Sequence, residues 1–216
     1  MIPVLYQDEH ILVVNKPPGL LTIPDGYHRE LPDLKDLLTS GFKRVWTVHR
    51  LDKCTSGIVI FALTPLAHRN LCIQFEKRSL HKTYLALIQG VLPKDTLIID
   101  TPLKINGDRR HRTVPNLLSG KPALTEIVKQ KTSPCFTLIT AEPKTGYLHQ
   151  IRAHLSYIGH PIVNDFLYGF KSLPDQCDFP AARLMLHALS ISLKHPFSEA
   201  EMVFESPIPE EFSFLD

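Results

Sequence analysis

Arg50, Leu51, Asp52 and Lys53 stand just ahead of Gly57-Ile58-Val59-Ile60-Phe61-Ala62-Leu63, a run that reads as a strand covered on both faces. A carboxylate leading into such a strand has to be paired, ligated or used in chemistry, because burying an isolated ionised group is strongly unfavourable. Asp52 is bracketed by two cations and followed by Thr55, Ser56 and Gly57. Its plain use is to cap a turn and pair locally; its chemical use is as a catalytic acid, base or nucleophile.

Other chemistries find less support. The chain has eleven histidines, but His149 and His154 are five apart on an expected helix and so lie about 140° apart around it. A zinc-protease helix needs His at i and i+4 with a Glu between, and no metal site is expected. There is no G-x-G-x-x-G, G-x-x-x-x-G-K or G-x-S-x-G in the sequence, so neither a nucleotide cofactor nor a serine-hydrolase elbow is expected. The densest cationic cluster is K-I-N-G-D-R-R-H-R, with Lys104, Arg109, Arg110 and Arg112 in a stretch rich in turn formers. It reads either as a solvated loop or as a contact for phosphates. The last nineteen residues hold six acids and no Lys or Arg, so a chain with net charge +2 carries +8 over residues 1–197.

The elements that must position these groups follow from punctuation and period. "IPVLYQDEHILVVNKP" reads as a hairpin, and "PPGLLTIP" as a Pro/Gly-punctuated connection. Thr64 as N-cap and Pro65 at the first helical position open a helix whose Ala67, Leu71 and Phe75 form one apolar stripe. "KTYLALIQGV", "TLIIDTPLK", "PALTEIVKQ" and "CFTLITAEP" read as strands. In "TGYLHQIRAHLSYIG" the period changes to that of a helix, with Leu148, Ile151, Leu155 and Ile158 on one face, polar residues on the others and Gly159 as the stop. "YGFKSLPDQCDFPAAR" reads as an irregular loop before two closing strands, "LMLHALSISLKHP" and "EMVFESP". The order of elements gives an α+β fold with a mainly antiparallel sheet.

At 44% hydrophobic and 21% charged, the chain has globular rather than disordered composition. No apolar run approaches the roughly 20 residues needed to span a bilayer, and residues 1–30 lack a leader pattern; a soluble, cytoplasmic protein is expected. Cys54, Cys72, Cys135 and Cys177 form no C-x-x-C pair and are expected as free thiols.

"HRLDKCTSG", "HKTYLAL", "TGYLHQIRAHLSYIGHPIVND" with "LYG", and "RLMLHA" with "KHP" resemble, in order and approximate spacing, the signature segments of the RNA pseudouridine synthases of the large-subunit synthase A type, the RluA family. The resemblance runs from "ILVVNKPPGLLTIP" to "KHP". It implies the pseudouridine synthase fold, a mixed, mainly antiparallel sheet in two lobes with flanking helices and a central RNA-binding cleft. It also implies a cofactor-independent reaction in which a uridine is detached from its ribose, turned and rejoined through carbon. Carried over by position, Asp52 is the catalytic carboxylate, Tyr84 packs over the target base, Arg152 pairs with Asp52, and Arg50 fills the gap left by the flipped nucleotide. Leu51 and Lys53 beside it, His149 and Gln150 in "HQIR", and the basic turn at Lys104, Arg109, Arg110 and Arg112 complete the expected RNA surface.

The residue types suit this chemistry. Extruding a paired base costs roughly a few kcal/mol, and a planar guanidinium can stack in the vacancy while neutralising phosphate. Glycosidic cleavage gives the sugar oxocarbenium character, which an ionised carboxylate can stabilise or trap, and a guanidinium within reach favours that ionised form. Where the family commonly reads T-G-R, this chain has Tyr147, one cation fewer near the helix start. With no S4-type domain expected, residues 1–216 are read as one catalytic domain, a monomer whose partner is a stem-loop of ribosomal or transfer RNA. Two rivals are a non-catalytic RNA-binding or RNA-folding factor on the same scaffold, and a hydrolase pairing Asp52 with Glu76 or Asp165.

Overall fold

The computed structural model describes residues 2–42, 44–171, 177 and 182–215. In chain order these form β1 (Val4–Gln7), β2 (Ile11–Lys16), α1 (Leu34–Thr39), β3 (Trp46–Thr47), β4 (Ser56–Ala62), α2 (Pro65–Lys77), β5 (His81–Gln89), β6 (Thr96–Ile99), β7 (Leu103–Lys104), β8 (Val114–Pro115), β9 (Thr125–Thr132), β10 (Phe136–Pro143), α3 (Gln150–Tyr157), β11 (Leu186–Lys194) and β12 (Glu201–Glu205), with 3-10 turns at Phe166–Tyr168 and Glu210–Leu215. The chain divides into two compact units, one of Met1–Lys82 with His187–Pro207 and one of Thr83–Leu186 with Ile208–Asp216.

In the first unit the N-terminal hairpin forms as its sequence predicts, with β1 antiparallel to β2 and β2 antiparallel to β4. β4 is buried at every position, as its unbroken apolar run requires. β11 joins β4 in parallel, and β12 returns antiparallel on β11. Thr64 caps α2 by accepting the Ala67 N–H at 3.2 Å. Ala67 and Leu71 pack into a core with Ile58, Ile60, Ile191 and Phe204, with Phe75 at its margin. Helix α1 is absent from the sequence expectations: six residues with only Leu34 and Leu38 buried are too short to show a period, and its cap is the buried Asp33, which accepts the Asp36 N–H at 3.0 Å.

In the second unit β5, β10, β9 and β6 form an antiparallel sheet in that order, and the short β7–β8 pair flanks the basic turn. Helix α3 buries Ile151 and Leu155 as expected, and Gly159 (φ 86°) ends it. The polar residues on its other faces are not solvated: Gln150, Arg152 and His154 are buried too, and each has hydrogen-bond partners within the unit. Cys135 and Cys177 are joined by a disulfide, their Cα atoms 6.0 Å apart, so the free-thiol expectation holds for Cys54 and Cys72 alone. Scattered cysteines reveal no pairing in one dimension because the fold, not the spacing, brings them together. Most of the expected irregular loop after Lys171 lies outside the described residues. No helix among the described residues is long and apolar enough to cross a membrane.

Candidate active site

Asp52 opens a turn closed by the Thr55 N–H donating to the Asp52 carbonyl at 3.1 Å. Its side chain is half-buried, and Arg50 and Lys53 beside it are exposed. Behind the turn, Ser56 Oγ lies 2.8 Å from His187 Nδ1. Gly57 (φ 110°) sits where an added Cβ would run into the backbone of Ala188, its partner in β11. The glycine of the T-S-G motif is therefore explained by packing: only glycine fits that conformation and that approach.

In front of the turn, the connection after β2 holds the same segment from the other side. Lys16 is fully buried and its ammonium donates to the carbonyls of Pro17 (3.0 Å), Leu20 (2.8 Å) and Lys53 (3.1 Å). Burial pushes its pKa down to about 8, opposed by the nearby Cys54 and Asp52. The Gly19 N–H also donates to the Lys53 carbonyl at 2.8 Å. Thr22 Oγ1 donates to the Leu51 carbonyl at 2.9 Å and accepts the Leu51 N–H at 3.2 Å. Leu51, expected at the RNA, is instead 4% exposed, because this clamp turns its side chain into the unit. Neither Lys16 nor Thr22 could be singled out from sequence, since the loop residues they hold, Lys53 and Leu51, lie 37 and 29 positions away.

His49 anchors the approach to Arg50. Its Nε2 accepts the Ile60 N–H at 2.9 Å, and its ring stacks on Phe75 with centroids 4.7 Å apart. Burial, and then the charge of Lys82, push its pKa down to about 3, so the ring is neutral and its proton resides on Nδ1.

The second unit places Tyr84 on β5 opposite Ala141, half-buried. Arg152 lies on the first turn of α3, buried, and makes a two-pronged pair with Asp165: Nε to Oδ2 at 2.7 Å and Nη2 to Oδ1 at 2.8 Å. Its guanidinium also lies over the Tyr168 ring, 4.8 Å from the centroid. Asp165, a candidate second carboxylate in the hydrolase reading, is thus committed to Arg152, and Glu76 is exposed on α2. Tyr168, in the "LYG" segment that had no assigned role, is a hub: its hydroxyl accepts the Thr113 N–H at 2.9 Å and lies 3.1 Å from His149 Nδ1.

Gln150, expected to meet RNA, is 3% exposed and its amide is spent on the protein. Oε1 accepts from Thr145 Oγ1 and the Tyr147 N–H, and Nε2 donates to Leu124 O and Thr125 Oγ1. A buried amide must satisfy its donors and acceptors, which fixes Gln150 as an organiser of the α3 start. His149 precedes it in a left-handed conformation (φ 54°), half-buried. Tyr147, in place of the family's common arginine, packs against Leu103, Ala123, Ala153 and Tyr168. In the basic turn Lys104, Arg109 and Arg110 are exposed. Arg112 is tied down, its Nε donating to Asp108 Oδ2 at 2.7 Å and its Nη1 to Leu167 O at 2.9 Å.

The family described as RNA pseudouridylate synthase matches residues 10–157. The dual-specificity RNA pseudouridine synthase RluA of Yersinia pestis is 38% identical over 203 residues, which cover 94% of this chain and 97% of that protein. Its namesake from Escherichia coli strain K12 is 35% identical, covering 94% of this chain and 92% of its own. Among solved structures, human RNA pseudouridylate synthase domain containing 1 is similar with a TM-score of 0.80 and 28% identity, over 97% of this chain and 84% of that one.

Proposed function

The chain belongs to the RluA family of RNA pseudouridine synthases and isomerises uridine in RNA to pseudouridine; we propose that Asp52 is the carboxylate that carries the reaction. The observation that supports this most is the bracing of its loop. Residues 51 and 53 are hydrogen-bonded through the main chain to Thr22, Lys16 and Gly19, while the Asp52 side chain keeps part of its surface open. A half-buried carboxylate on a fixed main chain is what a reaction that develops positive charge on ribose requires.

In this reading the RNA is opened at one uridine, and the exposed Arg50 stacks in the vacancy. The bond between base nitrogen and ribose carbon breaks, with Asp52 stabilising or trapping the electron-poor sugar. The base turns, its carbon bonds to the ribose, and the proton on that carbon is lost. Tyr84 would hold the uracil by its flat face and take part in the proton transfer. Arg152 would be the counter-charge of Asp52; its fixed plane, set by Asp165 and Tyr168 within its own unit, supports use as a rigid cation. Lys53, Lys104, Arg109, Arg110 and His149 would meet the RNA backbone, and Arg112 would keep the basic turn in shape.

We take residues 1–216 as one catalytic domain, and a stem-loop of ribosomal or transfer RNA as its substrate. The relatives' name, dual-specificity, supports testing both RNA classes. Incubating the protein with transfer RNA and ribosomal RNA transcripts tritiated at the base carbon that becomes bonded to ribose tests this directly. Tritium release names the substrate class, and binding without release from any RNA would leave an RNA-binding factor in place of the enzyme. A cytoplasmic location and a monomeric state are also proposals. Cell fractionation checks the first, and light scattering checks the second.

A further inference from the structure

We propose that Thr22 is a positioning residue for the isomerisation, holding Asp52 in its reactive geometry through the peptide of Leu51; the proposal rests on the reading of Asp52 as the catalytic carboxylate. The Thr22 hydroxyl makes both hydrogen bonds that the Leu51 main chain offers, one as donor to the carbonyl and one as acceptor from the N–H. Thr22 is 2% exposed and Leu51 is 4% exposed, so water is not a ready substitute for either bond. The Leu51 carbonyl belongs to the peptide that links it to Asp52, so this clamp acts on the plane from which the catalytic side chain departs.

A clamp transmits position only if it is itself fixed. The main chain around Thr22 is held by the start of α1: the Leu34 N–H donates to the Leu21 carbonyl at 2.8 Å, and the Lys35 N–H donates to the Thr22 carbonyl at 3.3 Å. Asp33 secures that helix start by capping Asp36. A route of hydrogen bonds thus runs from α1 through residues 21 and 22 to the peptide ahead of Asp52. The opposite flank, at Lys53, is fixed separately by Lys16 and Gly19. Removing Thr22 therefore releases one side of the loop and leaves the other seated.

Thr22→Val keeps the shape of the side chain and removes both bonds; Thr22→Ser keeps both and removes a methyl group. With the RNA that the wild type modifies, at a temperature where each variant is folded by circular dichroism, Thr22→Val is expected to lower kcat by about 10- to 100-fold while KM stays within about twofold. Thr22→Ser is expected to restore kcat to near the wild-type value. A Thr22→Val protein with reduced melting temperature but unchanged kcat would overturn the proposal and leave Thr22 a structural residue only. Amide hydrogen exchange at Leu51 in the wild type provides a second check that needs no variant: strong protection is expected, and exchange at the rate of an open loop overturns the clamp. Asp52→Ala, run alongside, separates the premise from the proposal. Tritium release by Asp52→Ala, or none from the wild type on any RNA, overturns the reading of Asp52 and the Thr22 proposal with it. A dead Asp52→Ala beside a fully active Thr22→Val overturns the Thr22 role alone.

Discussion

Lys16 offers a stability measurement whose sign is fixed by the structure. Its ammonium is fully buried beneath the Asp52 loop, and burial lowers its pKa from 10.5 to about 8. The folded protein therefore sheds this proton from about pH 8 upward, whereas the unfolded chain keeps it until about pH 10.5. Across that window the unfolded state binds more protons, so this group makes the folded state more stable as pH rises, with no contribution to the slope below or above it. A depression of about 2.5 units corresponds to about 3 kcal/mol over the window. Other groups titrate in the same range, so the quantity to measure is the difference in urea unfolding free energy between the wild type and Lys16→Met, which cannot titrate there. That difference should move in favour of the wild type by about 3 kcal/mol between about pH 8 and about pH 10.5. A flat difference would mean that the three carbonyls fully offset the burial of the charge, and would refute the account of Lys16 as a costly cation retained to hold the loop.

Gly57→Ala should destabilise by about 3 kcal/mol, since it combines a strained positive φ with a collision against the Ala188 backbone; an unchanged urea midpoint would contradict this. Asp165→Asn removes the charge from one partner of a buried, two-pronged pair and should cost about 3 kcal/mol, read as a clear fall in melting temperature. Arg109→Ala and Arg110→Ala should each reduce the salt dependence of RNA binding by about one counterion, measured by filter binding across salt concentrations. Arg112→Ala should instead loosen the turn and lower stability, because its guanidinium is engaged by Asp108 and Leu167.

The sequence revealed those parts of the fold whose cause is local. The apolar run of β4, the Thr64-Pro65 start of α2 with its stripe, and the Gly159 stop of α3 each carry their reason within a few residues, and each is where the sequence puts it. Helix α1 carries too few turns to announce itself. The H-R-L-D-x-x-T-S-G motif marked the loop, but the residues that hold it were hidden: Thr22 meets Leu51, and Lys16 meets Lys53, across gaps that no spacing rule connects. The role of Gln150 is hidden for a related reason. A polar residue in a family motif looks like a ligand contact until its four hydrogen bonds to the surrounding main chain and threonines are seen. Tyr168 likewise gave no signal, because its importance lies in what converges on it from Thr113, His149 and Arg152.

We propose that Asp52 performs the chemistry rather than only holding its loop. The most direct test is single-turnover tritium release by Asp52→Asn, which keeps the shape and removes the charge, with RNA affinity measured on the same preparation. RNA binding within about twofold of wild type and no release above background are expected. Release within about tenfold of the wild-type rate would contradict this and move the catalytic role to another residue.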